Sequence, residues 1–455
     1  MTQGALAKRL GVSPSYVNLI EHNRRPVTAN LLIRLARVFE LDLASFSADD
    51  DERLARDLLE VFADNLFEEH SLSNMDVQDF VSNSPTVARA VRTLFQAFRE
   101  SSESAAELAG SLTDGAGTGI GRLPSEEVSD LIQEHSNYFP GLEEAAESLW
   151  KEARLNPDDL YGGLVRHLRD NLTVDFRIAR LEEEPDAIRR FDPERRLLTL
   201  SEVLPPRSRN FQIAVQIALI TQEEEIEKII RRGQLSTPDS QNLARVALAN
   251  YFAGATLMPY RPFLNAAREE RYDVEILGHR FRTSLEQCCQ RLTSMRRPGN
   301  EGIPFHMVRV DIAGNISKKF SATGIRFARF GAACSLWNVF QAFLTPGQIR
   351  TQLSTMPDGK AFFCFATTIP KGRRGFHAAH TMHAIGMGCD VAHAREMVYS
   401  DGTDITDLES AVKIGVSCRL CERQDCAQRA FPPIRRELGV DPNLKGVSTF
   451  VPVKS

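Results

Sequence analysis

The chain has 455 residues, of which 42% are hydrophobic and 25% charged. At roughly 100–200 residues per domain this predicts two to four domains of ordinary globular composition, and it excludes wholesale disorder, collagen and a disulfide scaffold. The net charge of −5 argues against nucleic acid when taken as an average, but residues 1–47 hold six basic side chains against three acidic ones and form a locally positive segment. The longest apolar runs, such as 211–220, are too short and too interrupted to span a bilayer, and no apolar leader opens the chain, so the expected compartment is the cytoplasm and no membrane partner is expected.

The first element is predicted around Ala5, Leu6 and Leu10, which are apolar at helical spacing. Gly11 ends that helix by tolerating positive φ, Ser13 can cap the next one and Pro14 suits its first turn. Val17 and Ile20 then face inward, while Ser15, Tyr16 and Asn18 point outward. That is the geometry of a helix-turn-helix whose second helix fits the major groove, with Arg24 and Arg25 placed for phosphates. A further helix is expected over 28–39. The segment resembles the Cro/repressor-type helix-turn-helix family through Gln3, Ala7-Lys8-Arg9-Leu10-Gly11, Ser13, Tyr16, Ile20-Glu21 and Pro26. That family has a helix ahead of Thr2, so the module is expected to lack its first helix. The resemblance assigns Gln3, Ser13, Ser15, Tyr16, Asn18, Asn23, Arg24 and Arg25 to operator double-stranded DNA. A homodimer follows, because one such module reads too few base pairs for useful specificity.

Residues 48–121 read as a helical linker or dimerisation region ending in a soft stretch from Ser101 through Gly119. A domain over 122–295 follows. Helical periodicity runs through Val128, Leu131, Leu142, Leu149, Leu160, Leu164 and Leu168, then strand-like segments occur at 174–179 and 196–200, and helices are expected over 208–232 and 240–254. Phe211-Gln-Ile-Ala-Val-Gln-Ile-Ala-Leu and Leu248-Ala-Asn-Tyr-Phe-Ala-Gly-Ala-Thr-Leu resemble the ImmA/IrrE-type zinc peptidase domain. In that family H-E-x-x-H puts two zinc-binding histidines on one helix face with a glutamate as general base. Alignment on Phe211 and Ala214 places Val215, Gln216 and Leu219 at those positions, and Val246, Ala247 and Leu248 where an acidic ligand belongs. Neither catalytic zinc nor peptidase activity is expected, so the chain is expected not to be an enzyme. Glu223-Glu224-Glu225 reads as a solvated helix face.

The last domain, 296–455, begins near Arg296-Arg297-Pro298-Gly299 and shows strand-like runs at 305–312, 325–330 and 361–369. All 8 cysteines lie at or beyond Cys288. Cys418, Cys421 and Cys426 form C-x2-C-x4-C, three thiols within nine residues, which suits one soft metal centre. Cys389, on what reads as the polar turn Gly386-Met-Gly-Cys-Asp, is the candidate fourth ligand. Zinc, with His393 as the fourth ligand, and reduced thiols without metal remain alternatives. Cys334 and Cys364 read as core thiols, and His377, His380 and His383 suit one helix or a loop.

The order of these parts, together with Ile303-Pro-Phe, Gly314-Asn-Ile-Ser-Lys-Lys, Phe327-Ala-Arg-Phe-Gly, Trp337-Asn, Met356-Pro-Asp-Gly, Gly388-Cys-Asp and the Cys418–Pro433 block, resembles the short-chain fatty acyl-CoA regulator family over nearly the whole chain. The resemblance implies a multidomain protein, with an all-α helix-turn-helix module, an α+β peptidase-like domain and an α+β sensor domain. It implies a bacterial transcriptional regulator of propionate and acetate metabolism with a short-chain acyl-CoA effector, and a [4Fe–4S] cluster on the C-terminal cysteines. A redox sensor that uses such a cluster and no CoA is the alternative. A CoA ligand needs cations for its phosphates and apolar surface for its pantetheine. Lys318, Lys319 and Arg329 with Trp337 are the candidate contacts, among wider cations (Arg326, Lys371, Arg373, Arg374) and aromatics (Phe320, Phe327, Phe330).

Overall fold

A computed structural model describes residues 3–21, 31, 39, 49–67, 72–111, 124–183, 187–325, 327, 333–372, 380–418, 421–423 and 426–432. The chain divides into two compact units, 1–120 and 121–455.

The first unit is helical. Helix α1 (Gln3–Leu10) stops at Gly11, which takes φ +68°, and α2 (Pro14–Glu21) starts from Ser13. The Ser13 hydroxyl accepts from the Tyr16 backbone N–H at 3.2 Å, a local cap on an otherwise unpaired donor. Ala7, Leu10 and Val17 are buried between the two helices. Leu31 is also buried, but most of the helix expected over 28–39 lies outside the described residues. Helices α3 (Asp49–Val61), α4 (Asn74–Asn83) and α5 (Pro85–Ser111) bury Leu54, Leu58, Val61, Val77, Val81, Ala88 and Phe95. Arg92 to Asp57 at 3.0 Å and Arg99 to Asp64 at 3.3 Å tie α5 to α3 and the turn after it. The stretch expected to loosen at Ser101 instead continues α5 to Ser111.

The second unit opens with α6 (Pro124–Glu134), α7 (Pro140–Glu152) and α8 (Leu160–Asp170). A three-stranded sheet follows in the order β1 (Asp175–Ala179), β3 (Leu197–Ser201), β2 (Arg189–Asp192), with β1 parallel and β2 antiparallel to β3. The single helix expected over 208–232 breaks at Gln222 into α9 (Pro206–Thr221) and α10 (Glu223–Arg232). Helix α9 is buried along Ile213–Ala218 against α11 (Pro238–Leu257), so its apolar residues surround it and show little one-sidedness.

Three short helices, α12 (Tyr260–Glu269), α13 (Val274–Arg280) and α14 (Leu285–Thr293), lead to a six-stranded sheet. Its order is β5 (Ile316–Ser321), β4 (Phe305–Asp311), β8 (His380–Asp390), β7 (Ala361–Gly372), β6 (Arg350–Thr355), β9 (Val412–Lys413), with antiparallel pairs except β6–β9. One face buries Phe305, Met307, Phe363, Phe365, Ile385 and Met387 on α12–α14. The other buries Val308, Val310, Phe362, Ala366 and Ala384 with Trp337 and α15 (Asn338–Gln341). The first of these cores runs from Met258 to Ala411, so it is shared by residues on both sides of position 295. A strand not expected from the sequence, β5, lies earlier in the chain, and most of the strand expected over 325–330 falls on positions 326 and 328–330, which lie outside the described residues. Among the described residues no helix is long and apolar enough to cross a membrane.

Candidate functional site

The first candidate surface is α2. Ser13, Ser15 and Asn18 are exposed and Tyr16 is half-buried, while Val17 points into the core. The helix therefore presents short polar side chains on one side and is anchored on the other, as a base-reading helix requires. Gln3 sits in the first turn of α1. Asn23, Arg24 and Arg25 lie outside the described residues.

The second candidate is the centre of the middle region. Val215 and Gln216 are buried on α9, and Leu219 is partly buried beside them. Gln216 Oε1 accepts from Arg189 Nη1 of β2 at 3.2 Å. Burial holds the Arg189 guanidinium below its usual pKa. Leu248 is buried in the same core and Val246 is exposed. The acidic triplet opens α10, where carboxylates favour the helix dipole, and Glu225 pairs with Lys228 at 2.9 Å.

The cysteines separate into two environments. Cys389, expected on a polar turn, lies in β8, fully buried and paired in register with Phe305 and Phe363. Burial pushes its thiol well above the ordinary range. Cys389 belongs to the helix-packed core, whereas Cys334 belongs to the core on the other face of the sheet. Cys334 donates its backbone N–H to Val416 O at 3.2 Å, and burial raises its thiol pKa, helped by the nearby Cys418 and Cys421. Arg429, itself buried, donates to Cys418 O at 2.6 Å and Cys421 O at 2.7 Å and to Arg423 O, and so gathers this segment. A Cβ at Gly415 would stand 3.0 Å from Cys421 Sγ, so the thiol lies tightly on that backbone. Cys426 is half-buried. His393 is engaged with Glu396 at 2.7 Å. Among the described residues no three His, Cys, Asp or Glu side chains converge to hold a metal ion, so the placed thiols do not make a complete ligand set.

The candidate ligand contacts are also divided. Lys318 and Lys319 are consecutive in β5 and so project to opposite faces. Lys318 joins Arg309 and Lys371 around Glu286 of α14. Arg309 Nη1 lies 2.6 Å and Lys318 Nζ 3.2 Å from Glu286 Oε1, and Lys371 reaches Oε2. These three cations hold the Glu286 carboxyl down at about 2 against the desolvation that would raise it. Trp337 is buried on the other face, with Phe327 edge-on at 5.5 Å, and its indole nitrogen has no hydrogen-bond partner among the described residues. On the same face the imidazole of His306 contacts Thr323 Oγ1 at 3.0 Å and Cys364 Sγ at 3.4 Å. Arg326, Arg329, Phe330, Arg373, Arg374 and His377 lie outside the described residues, and His380 and His383 belong to β8. Glu286 and Arg309 were not legible as site residues. The signal for Arg309 was its place in Phe305-His-Met-Val-Arg-Val-Asp, where the two-residue period puts a charge on the same face as Phe305 and Met307.

Family models match three parts of the chain. These are a helix-turn-helix over residues 1–46, an IrrE N-terminal-like domain over 169–293, and a short-chain fatty acyl coenzyme A regulator C-terminal domain over 294–450. The chain is 39% identical to the HTH-type transcriptional regulator PrpR of Mycobacterium tuberculosis over 97% of its own length and 91% of that protein's. It is 38% identical to the HTH-type transcriptional regulator RamB of the same organism, over 99% of this chain and 95% of RamB. It is 39% identical to a propionyl-CoA carboxylase regulator of Cereibacter sphaeroides, with the same coverage. A solved structure of a Mycobacterium tuberculosis transcriptional regulator, 40% identical, superposes with a TM-score of 0.69 and covers 71% of this chain and 98% of that one.

Proposed function

This chain belongs to the short-chain fatty acyl-CoA regulator family, and on that premise we propose that it is a DNA-binding transcriptional regulator whose operator affinity is set by a short-chain acyl-CoA. The observation that carries the reading is α2, with Ser13, Ser15 and Asn18 exposed over a buried Val17 and a capped, glycine-terminated turn behind it. Gln3, Tyr16, Asn23, Arg24 and Arg25 complete the DNA-facing set. The protein acts as a homodimer, since two modules are needed to read two half-sites. Its metabolic domain is propionate and acetate, in keeping with the propionyl-CoA carboxylase regulator among its relatives. Acyl-CoA binding in the C-terminal half shifts the balance between DNA-competent and incompetent arrangements, by no more than the ligand's differential affinity for the two.

The IrrE-like domain is a scaffold and not a peptidase. Valine and leucine cannot ligate zinc, and Gln216, already occupied by Arg189, has no carboxylate to act as a base. Titrating operator binding with acetyl-CoA and propionyl-CoA tests the effector assignment. The expected result is a changed operator affinity with at least one of them, and an operator affinity indifferent to both contradicts it.

A second reading is favoured by the Cys418–Cys426 segment, where Arg429 donates to both Cys418 O and Cys421 O. Cys418, Cys421 and Cys426, with Cys334 in the place first given to Cys389, would hold a [4Fe–4S] cluster, which would brace this segment or respond to oxidation. Thiolates of this number and spacing suit iron–sulfur ligation. Anaerobic purification and a visible spectrum test it. A brown protein that loses iron on Cys421→Ser supports the cluster, zinc in its place converts the site to a zinc centre, and a colourless, metal-free protein removes both.

A further inference from the structure

The helix-packed face of the six-stranded sheet changes character along its strands. At one end Phe305, Met307, Phe363 and Met387 fill a dry core. At the other end the same face carries Arg309, Lys318 and Lys371, all directed at Glu286. A brace between α14 and the sheet needs one cation for that carboxylate. Here there are three, which leaves a local surplus of two positive charges. Asp311, two residues along β4 from Arg309, offsets at most one of these charges while its oxygens also accept from Ala313 N, Asn315 N and Asn315 Nδ2 in the β4–β5 turn, so a net positive surplus remains. Gln290 Oε1 and Ser317 Oγ accept from Lys318 and Arg309 but carry no charge. Like charges held this close are unfavourable unless an anion relieves them. The site is also reachable, with the Lys318 and Lys371 side chains about two-fifths exposed. At the same end His383, paired in register with Asp311, keeps a buried Nδ1 without a hydrogen-bond partner among the described residues.

We propose that Arg309, Lys318 and Lys371, held by Glu286, form an anion-docking site for the phosphate groups of a ligand. A phosphate or pyrophosphate group offsets the remaining surplus charge and supplies the acceptors that three cations ask for. The assignment of that ligand as an acyl-CoA rests on the effector reading above; the phosphate chemistry of the site does not. Glu286 then acts as a stand-in, keeping the three cations gathered in the empty site and competing with the incoming anion.

Calorimetric titration of the full chain with sodium pyrophosphate and, separately, with propionyl-CoA tests this. Wild-type protein is expected to bind both in mutual competition, and Lys371→Gln and Lys318→Gln are each expected to weaken both by about tenfold or more, the scale of one charge-assisted hydrogen bond. Glu286→Gln is expected to strengthen pyrophosphate binding, whereas a purely structural brace would only lower the melting temperature. If the lysine variants bind propionyl-CoA as the wild type does, the docking site is wrong and the effector reading stands. If wild-type protein binds pyrophosphate with loss in the lysine variants but does not bind propionyl-CoA, the site stands and the effector reading falls. Binding of neither ligand overturns both.

Discussion

Two charged clusters in the second unit differ in kind. Glu143 of α7 and Arg291 of α14 are both 1% exposed and form a closed pair. Arg291 donates to both Glu143 oxygens, at 2.5 and 2.9 Å, and through Nε to Met258 O at 2.9 Å, while Tyr251 donates to Glu143 at 2.7 Å. One acid meets one base and every strong donor is used. Glu286, five residues earlier, meets three cations at a partly exposed edge. Burial and charge balance both separate the two clusters. The balanced cluster holds the scaffold together, and the unbalanced one is poised for something from solution.

Breaking the closed pair gives the largest effect. Arg291→Met leaves Glu143 buried and unpaired and is expected to cost about 3–5 kcal/mol of stability, while Glu143→Leu with Arg291→Met together recovers most of it. Urea unfolding of the intact chain measures both, and a single variant within about 1 kcal/mol of wild type would show that the pair is not closed.

Acid sharpens the comparison at an intermediate scale. Burial lowers the His306 pKa from 6.5 to about 3. As the pH falls below 6.5 the unfolded chain takes up a proton that folded His306 refuses, so folding stability declines across 6.5 to 3 and is fully present above that window. Glu286, lowered from 4.5 to about 2, also favours the folded state at higher pH, but its share is lost only as the pH falls below 4.5. The wild-type minus His306→Gln difference in stability is therefore expected to shrink by about 1.4 kcal/mol for each unit of pH from 6.5 down to 4.5. A difference that does not vary with pH in that interval would mean His306 titrates normally.

The smallest effect falls on the open cluster. Lys371→Gln is expected to change stability by less than about 1 kcal/mol, because a partly exposed ion pair is screened and Arg309 and Lys318 remain. A loss of several kcal/mol on thermal or urea unfolding would make it a brace like Arg291.

The α1–α2 helix-turn-helix was legible because its signals are local. Gly11 at positive φ and Ser13-Pro14 at a helix start act within one turn of themselves. Strands β1 and β3 and the helices up to α11 followed from periodicity, but β2 and α12–α14 did not, and α9, buried all round, carried no stripe to mark its end at Thr221. What failed depended on distance. Gly386-Met-Gly-Cys-Asp reads as a turn, yet both glycines lie in β8 because its neighbours leave no room for a side chain. A Cβ at Gly386 would come 3.0 Å from Val339 Cβ, and one at Gly388 would come 2.6 Å from Cys364 Sγ and 2.7 Å from His306 Nε2. Cys389 is buried on the opposite face of β8, in the core that packs on the helices. The Glu286 cluster joins α14, β4, β5 and β7, elements whose approach no short window of sequence reports.

The central claim, that a ligand in the C-terminal half and DNA at α2 are coupled, is tested most directly by reciprocity. Propionyl-CoA affinity of the full chain is measured with and without saturating operator DNA, and operator affinity with and without saturating propionyl-CoA. The account predicts that the two affinities change by the same factor, since a coupling free energy is shared by both sites. Propionyl-CoA binding that is identical in the presence and absence of operator would contradict it.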